Sequence, residues 1–138
     1  MPSQVQPLSF GDMPHLTANE LGNFARHGVK PIIFVLNNSG FSVERVIEDC
    51  PDWIYNDIAP WNYHMLPAAM GCTDWYTARV TTNGELDAAM AHSSEADTAC
   101  YIEIVAGKHD YPPATKVLHE RWAELCGIMR PLWQTVPR

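Results

Sequence analysis

The apolar run PIIFVL at residues 31–36 constrains the fold of this chain most strongly. It shows no alternation of apolar and polar residues, which is typical of a strand buried on both faces of a parallel sheet. Such a strand needs neighbouring strands and a covering helix layer on each face. The run ends in two adjacent amides, Asn37 and Asn38, so a polar sheet edge is predicted at its carboxyl end.

The remaining sequence supplies the neighbours, because strand and helix patterns alternate along it. Further strands are predicted at residues 6–11, 74–80 and 100–106. Helices are predicted at 16–28, in the second half of 59–71, from 82 onward and from 112 to 127. This order predicts an α/β fold, a three-layer parallel sheet with helices on both faces and right-handed crossovers.

Local signals define several helix ends and faces. Thr17 with Glu20, and Thr82 with Glu85, match the capping-box pattern, and Gly28 is a suitable helix stop. The expected apolar faces consist of Leu21, Phe24 and Ala25 in the first helix, of Leu86, Ala89 and Met90 in the third, and of Ala114, Val117, Leu118, Trp122 and Leu125 in the last.

Length and charge narrow the classes of function. The 138 residues predict a single domain over 1–138, with 128–138 as a possible tail. A formal net charge of −7 argues against nucleic acid or an anionic membrane as the main partner. No apolar run approaches the length of a membrane span, and the N-terminus lacks a secretory signal pattern, so a cytoplasmic location is expected.

Polar residues follow two of the predicted strands. Gly11 and Asp12 follow the first strand and Asn38 the second, and in parallel sheets ligands bind beyond the carboxyl ends of the strands. A carboxylate, an amide and the backbone carbonyl of Gly40 are hard oxygen donors suited to Mg²⁺ or Ca²⁺. The helix starting near Thr17 would add N–H groups for a phosphate. The alternative is that Asp12 and the asparagines only cap turns.

The pattern GD followed about 25 residues later by NN resembles the thiamine diphosphate signature. The segments LTANEL, PIIFVLNNSGFSVERVI, YNDIAPWNY, ELDAAM and YIEIVAGKHDYPP resemble consecutive parts of the 2-oxoacid decarboxylases, the pyruvate and indolepyruvate decarboxylase group. The resemblance extends from about residue 8 to residue 126. It implies most of the C-terminal, thiamine-diphosphate-binding domain, truncated at its N-terminal side.

The resemblance also implies roles for individual residues. Asp12, Asn38 and Gly40 would bind Mg²⁺, and the cofactor-binding set would be Gly11, Asp12, Asn38, Ser39, Gly40 and Val43. Glu44 would be the catalytic residue, close to the substrate carboxylate and active in proton transfer. In a partly apolar pocket its pKa would be raised. The alternative for Glu44 is an exposed carboxylate at a helix start.

Two departures from the family affect these expectations. Met13 and Pro14 stand where the family has glycine and a small residue, which weakens the expected contacts to the diphosphate. The family has three α/β domains, and the absent ones supply the glutamate that activates the cofactor. We therefore expect little or no decarboxylation by this chain alone, and the resemblance implies a missing partner domain.

Large apolar residues, most of them aromatic, concentrate between residues 52 and 66, where the resemblance implies packing against a partner. The set is Trp53, Tyr55, Trp61, Tyr63 and Met65. Their exposure would favour association, so a homo-oligomer is expected. The alternative is that these side chains fold back onto the local core.

Two other functions remain open. The first is a non-catalytic oligomeric remnant that acts as a binding module. The second is a small hydrolase that reuses the former cofactor cleft, for which Ser39, Ser42 and six histidines are available. No G-x-S-x-G motif supports the hydrolase.

Overall fold

The computed structural model describes residues 7–10, 18–47 and 50–112, together with 114, 115, 117, 121, 122 and 124. Its sheet has four parallel strands in the order β1-β2-β4-β3. The strands are β1 (Pro7–Phe10), β2 (Ile32–Asn37), β3 (Tyr76–Val80) and β4 (Cys100–Val105). The four predicted strands are confirmed, with β2 and β4 at the centre.

Helices connect these strands in the predicted alternation. They are α1 (Glu20–Arg26), α2 (Ser42–Ile47), α3 (Leu66–Ala69) and α4 (Asn83–Glu95), with short 3₁₀ turns at Ile54–Asn56 and Tyr63–Met65. In the described part of the chain, no helix combines the length and hydrophobicity needed to cross a bilayer.

The apolar core lies on both faces of the sheet. On the first face, Ile33, Val35 and Tyr101 pack with Leu21 of α1 and with Tyr63. On the second face, Val80 and Ile102 pack with Ala89 of α4. Across the strand order of the sheet, the connections from β1 to β2 and from β2 to β3 run in one direction. The connection from β3 to β4 runs in the opposite direction. Right-handed crossovers running in opposite directions cover opposite faces, which explains the three layers. The predicted fold class is confirmed.

The helix ends follow the local signals in part. The capping box of α4 is present, since Thr82 Oγ1 accepts from Glu85 N–H and the Glu85 carboxylate accepts from Thr82 N–H. At the end of α1, Gly28 has φ of +65°, and Val29 N–H donates to the Phe24 carbonyl. This is a glycine stop with a 6→1 hydrogen bond. Thr17 lies outside the described residues, and α1 begins only at Glu20.

Several expectations about burial are wrong in detail, including those for Ala25 and Ala114, which are exposed. Leu36 of β2 is exposed, because the helix on the second face, α4, contacts β3 and β4. Met90 of α4 is exposed, and the small side chain of Ser93 is buried instead. In the last predicted helix, Val117 and Trp122 are exposed.

The chain divides into two compact units. The first lies within Met1–Asn38 and Ala59–Gly107 and contains the sheet, and the second lies within Ser39–Ile58 and Lys108–Arg138. Residues 128–138, the possible tail, lie outside the described residues.

Candidate functional site at the carboxyl ends of the strands

The first unit places the predicted ligand Asn38 directly beyond β2. The parallel register pairs Phe10, the last residue of β1, with Val35 of β2. Both strands therefore end at the same edge of the sheet. Asn38 is 4% exposed. Gly11, Asp12, Met13 and Pro14 follow β1 in sequence and lie outside the described residues, so their predicted roles stay predictions.

In the second unit, a tight turn begins at Ser39. Ser39 has φ of +64°, a left-handed conformation that few non-glycine residues adopt. Its carbonyl accepts a hydrogen bond from Ile58 N–H at 3.3 Å, and Phe41 N–H donates to the Asn56 carbonyl at 2.9 Å. Gly40 forms an isolated bridge with Asp57. The segment that ends at Ile58 thus holds the turn.

Gly40 is a glycine for a steric reason. A Cβ added there would overlap the Asn56 carbonyl oxygen and the Arg45 guanidinium, whose Cζ would lie at 2.7 Å. The predicted role of its carbonyl as a metal ligand stays a prediction, but this close approach requires glycine independently of any ligand.

The buried side chain of Arg45 organises this turn. Its Nη2 donates to the carbonyls of Ser39 at 3.2 Å and Asn56 at 3.1 Å, and it lies 2.6 Å from Asp57 Oδ1. Its Nη1 donates to the Pro51 carbonyl at 3.2 Å. Its Nε has no partner among the described residues. Sequence reasoning missed Arg45, because its partners lie 6 to 12 residues away in irregular segments.

Charged groups surround the Arg45–Asp57 pair. Lys108 Nζ lies 3.0 Å from Asp57 and 3.3 Å from Asp52, and His109 Nε2 lies 3.1 Å from Asp52. Two hydrogen bonds hold the pKa of Asp57 below its usual value. The one from Arg45 has the larger effect, and the one from Lys108 has the next largest. The bond to Asp57 raises the pKa of Lys108. Both groups therefore stay charged at neutral pH.

Val43 and Glu44 lie in the first turn of α2, and both are exposed. The described residues of this chain do not form the apolar enclosure expected around Glu44. The position matches the alternative of an exposed carboxylate at a helix start. Its catalytic role stays a prediction.

A second buried charge lies in the first unit. Glu103 of β4 is 1% exposed. Its Oε1 accepts from Asn37 Nδ2 at 2.7 Å, and its Oε2 lies 3.1 Å from His64 N and 2.8 Å from His64 Nδ1. Arg79 Nε is 3.7 Å from Oε1. Burial raises the pKa of Glu103, but the hydrogen bonds from Asn37 and His64 outweigh it, so the pKa lies below its usual value.

Sequence reasoning also missed Glu103, although a signal was present. It is the single charged residue in the strand pattern CYIEIVA. A charge in an otherwise apolar central strand indicates specific partners, since an unpaired buried charge is costly. The identity of those partners, His64 and Asn37, is not visible in the pattern.

The predicted ligand set would suit a divalent cation that prefers oxygen. Among the described residues, no group of three or more His, Cys, Asp or Glu side chains is arranged to hold a metal. The predicted ligand set is of another kind, since it combines one carboxylate with an amide and a backbone carbonyl. Such oxygen ligands are typical of Mg²⁺.

Comparison with known proteins decides the family. Residues 11–104 match the family model described as thiamine pyrophosphate enzyme, C-terminal TPP binding domain. This chain belongs to that family. The resemblance found in the sequence is confirmed, and the parallel sheet with helices on both faces agrees with it.

Similar curated proteins are named alpha-keto-acid decarboxylases. The one from Mycobacterium avium is 41% identical over 115 residues, which cover 80% of this chain and 20% of that protein. The one from Mycobacterium tuberculosis is 39% identical over the same length and coverage. The one from Mycobacterium leprae is 40% identical over 107 residues, 76% of this chain and 19% of that protein. The chain thus spans about a fifth of the length of these relatives.

Proposed function

We propose that this chain binds thiamine diphosphate together with Mg²⁺, as the cofactor-binding domain of a 2-oxoacid decarboxylase. The family match and the decarboxylase relatives support the cofactor and the class of reaction. The observation that carries the proposal is the parallel pairing of β1 with β2, with Phe10 opposite Val35. Asp12 and Asn38 each follow one of these two neighbouring strands by one or two residues.

Each candidate residue has a distinct task in this proposal. Asp12, Asn38 and the Gly40 carbonyl bind the cation, whose charge holds the diphosphate. Gly11 and Ser39 line the diphosphate, and Val43 offers an apolar contact to the cofactor. Thiamine diphosphate, when bound, supplies a stabilised carbanion for attack on a 2-oxoacid. Glu44, at the start of α2, holds or delivers a proton beside the substrate carboxylate.

We also propose that the chain alone does not decarboxylate 2-oxoacids. General acid catalysis by a glutamate requires a site that raises its pKa and excludes water. Glu44 is exposed in this chain, so another domain or subunit has to complete the site. Met13 and Pro14 add bulk and remove a donor next to Asp12, which weakens the contacts to the diphosphate.

Calorimetric titration with thiamine diphosphate in the presence of MgCl₂ tests the proposal. The chain should bind the cofactor, and binding should require the metal. Asp12→Ala and Asn38→Ala should each weaken binding by at least about tenfold, since each removes a ligand from a small donor set. The matched controls are Asp97→Ala, an exposed carboxylate paired with Lys30, and Asn83→Ala, an exposed amide at the start of α4.

The absence of binding by the unmodified chain at millimolar cofactor would contradict the proposal and favour the non-catalytic module. A second arm measures CO₂ release from pyruvate and indolepyruvate with the cofactor at saturation. We expect no turnover, and measurable turnover would overturn the proposal that the chain needs a further domain.

Self-association is the second part of the proposed function. In the second unit Trp53, Ile54 and Tyr55 are exposed, Ile54 to 86%. In the first unit Trp61 and Met65 are exposed, whereas Tyr63 is buried in the core. Exposed apolar clusters of this kind support association. Light scattering should show a homo-oligomer that Ile54→Ser weakens, while Val29→Ser, at another exposed apolar residue, should not. A monomer at high concentration would contradict this proposal.

A further inference from the structure

We propose that Glu103 is a positioning residue that fixes the carboxyl end of β2 through Asn37 and thereby sets the place of Asn38. The inference rests on the proposed function for its significance, since Asn38 is the candidate metal ligand. The contact itself is a property of the first unit without any ligand. Its evidence is the short hydrogen bond between Asn37 Nδ2 and Glu103 Oε1 at 2.7 Å.

Asn37 makes two hydrogen bonds to β4 and the residue that follows it. Its backbone carbonyl accepts from Ala106 N–H at 2.9 Å, one residue beyond the end of β4. Its side chain donates to Glu103, three residues earlier on the same strand. A residue fixed through both its backbone and its side chain has little freedom to rotate. Because Asn38 is its direct neighbour in the chain, the direction in which Asn38 leaves the strand is fixed as well.

Glu103 is itself rigidly placed. It lies on β4 in register with Val35 on one side and Arg79 on the other. The backbone N–H and the ring Nδ1 of His64 contact Oε2 from the covering segment, while Asn37 and Arg79 contact Oε1. Both carboxylate oxygens are therefore occupied, and the side chain cannot change its rotamer without losing several contacts.

The position of this charge in the sheet argues for a specific task. A buried ionic group at a core position is often replaceable by an apolar residue of similar volume without loss of stability. Neighbouring core positions of β4, such as Tyr101 and Ile102, are apolar or aromatic. A carboxylate at 103 costs desolvation, and in return it binds Asn37, the residue before Asn38, and His64 of the covering segment. In some proteins a buried polar group is retained because it specifies one arrangement, and this is the role proposed for Glu103.

Hydrogen exchange of the cofactor-free chain, measured by NMR, tests the positioning directly. The reporter is the Ala106 amide, which donates to the Asn37 carbonyl at the carboxyl end of β2. The internal control is the Cys100 amide, which donates to the Pro31 carbonyl at the other end of the same strand pair. In Glu103→Leu, protection of Ala106 should fall about tenfold relative to Cys100.

Further variants separate positioning from a general structural role. Glu103→Gln keeps the acceptor for Asn37 and should restore most of the protection of Ala106. Asn37→Ala should reproduce the loss, and Asn37→Ala combined with Glu103→Leu should lose little more than either alone, because both remove the same contact. Ser93→Ala removes a buried hydroxyl of α4 that donates to Ala89, and should leave the Ala106 to Cys100 ratio unchanged.

A cofactor titration on the same variants completes the test. If the unmodified chain binds thiamine diphosphate and Mg²⁺, Glu103→Leu should weaken binding about tenfold more than Ser93→Ala. If the unmodified chain binds no cofactor, the proposed function fails, while the exchange ratio still decides the positioning role. An unchanged ratio in both Glu103→Leu and Asn37→Ala would overturn the inference whatever the titration shows.

Discussion

Glu103 lies in the regular sheet of the first unit and Arg45 in the turn-rich second unit, and the two buried charges have different partners. Two side chains and one backbone amide make hydrogen bonds to Glu103, and Arg79 Nε lies 3.7 Å from it. Arg45 donates mainly to backbone carbonyls, those of Ser39, Pro51 and Asn56, and pairs with a single carboxylate.

The difference follows from the backbone around each charge. In a sheet the ladder already pairs the backbone groups, so a buried carboxylate has to find donors on side chains or at loop starts. In irregular segments no regular ladder orders the carbonyls, and a guanidinium with five N–H donors can bind several of them at once, here including those of Ser39 and Asn56, which also accept backbone N–H groups. Arg45 therefore holds a turn together, whereas Glu103 aligns the end of a strand that other forces already hold.

Removing Arg45 should have the largest effect on stability. Arg45→Met removes the guanidinium donor from three carbonyls and from the Asp57 carboxylate, which keeps Lys108 as a partner, and we expect a loss of about 3 kcal/mol in the free energy of unfolding. Urea denaturation followed by tryptophan fluorescence measures it. The control is Arg79→Met, which removes a half-exposed arginine 3.7 Å from Glu103 and should cost less than about 1 kcal/mol. Equal losses of stability in the two variants would contradict the special role assigned to Arg45.

Filling the space beside Gly40 should have the next largest effect. In Gly40→Ala the new methyl group overlaps the Arg45 guanidinium and the Asn56 carbonyl, and we expect destabilisation by about 2 kcal/mol. Gly22→Ala is the matched control, because a Cβ there meets nothing within 4 Å and the residue lies inside α1. It should stabilise the chain by up to about 1 kcal/mol. A tolerated Gly40→Ala would show that the Arg45 contacts are loose.

The pH dependence of Glu103 should give the smallest effect. Its pKa is lower in the folded chain than the reference value of 4.5, so its stabilising contribution is present above that pH. The contribution is lost as the pH falls through the folded pKa. Above that pH the free energy of unfolding of the unmodified chain should exceed that of Glu103→Gln by on the order of 1 kcal/mol. This difference should become smaller below about pH 4.5.

Urea denaturation at several pH values measures this advantage. Subtracting the Glu103→Gln curve is necessary because hydrogen bonds also lower the pKa of Asp57, of Glu85 and of Asp97. Asn37→Ala removes a donor to Glu103. In that variant, the effect of adding Glu103→Gln on the pH dependence of stability should therefore be smaller. Parallel curves for the unmodified chain and Glu103→Gln would contradict the role assigned to the carboxylate.

The sequence predicted most of the fold because the signals were local. The apolar run before Asn37, the capping box of Thr82 and Glu85, and the stop at Gly28 each depend on residues a few positions apart. The burial of helix faces was predicted less well. Met90 has the apolar character of a core residue, but which face of α4 meets β3 and β4 depends on the packing angle of the whole helix.

For the candidate site, the sequence identified the residues beyond β2 and their family, but not the groups that hold them. The resemblance to the family pointed to Asn38, Ser39 and Gly40, whose roles stay predictions. The sequence did not show why residue 40 has to be glycine, because the atoms that exclude a side chain there belong to Arg45 and Asn56.

By itself, the sequence determined the alternation of strands and helices, the polar ends of the first two strands and the membership of a thiamine-diphosphate-binding family. Only the tertiary structure decided that β4 lies between β2 and β3, and so brought Glu103 to Asn37 across 66 positions of sequence. The physical reason is that propensity and capping act over one or two turns of chain. The partner of a buried charge is selected when distant segments pack, and only then does its desolvation have to be offset.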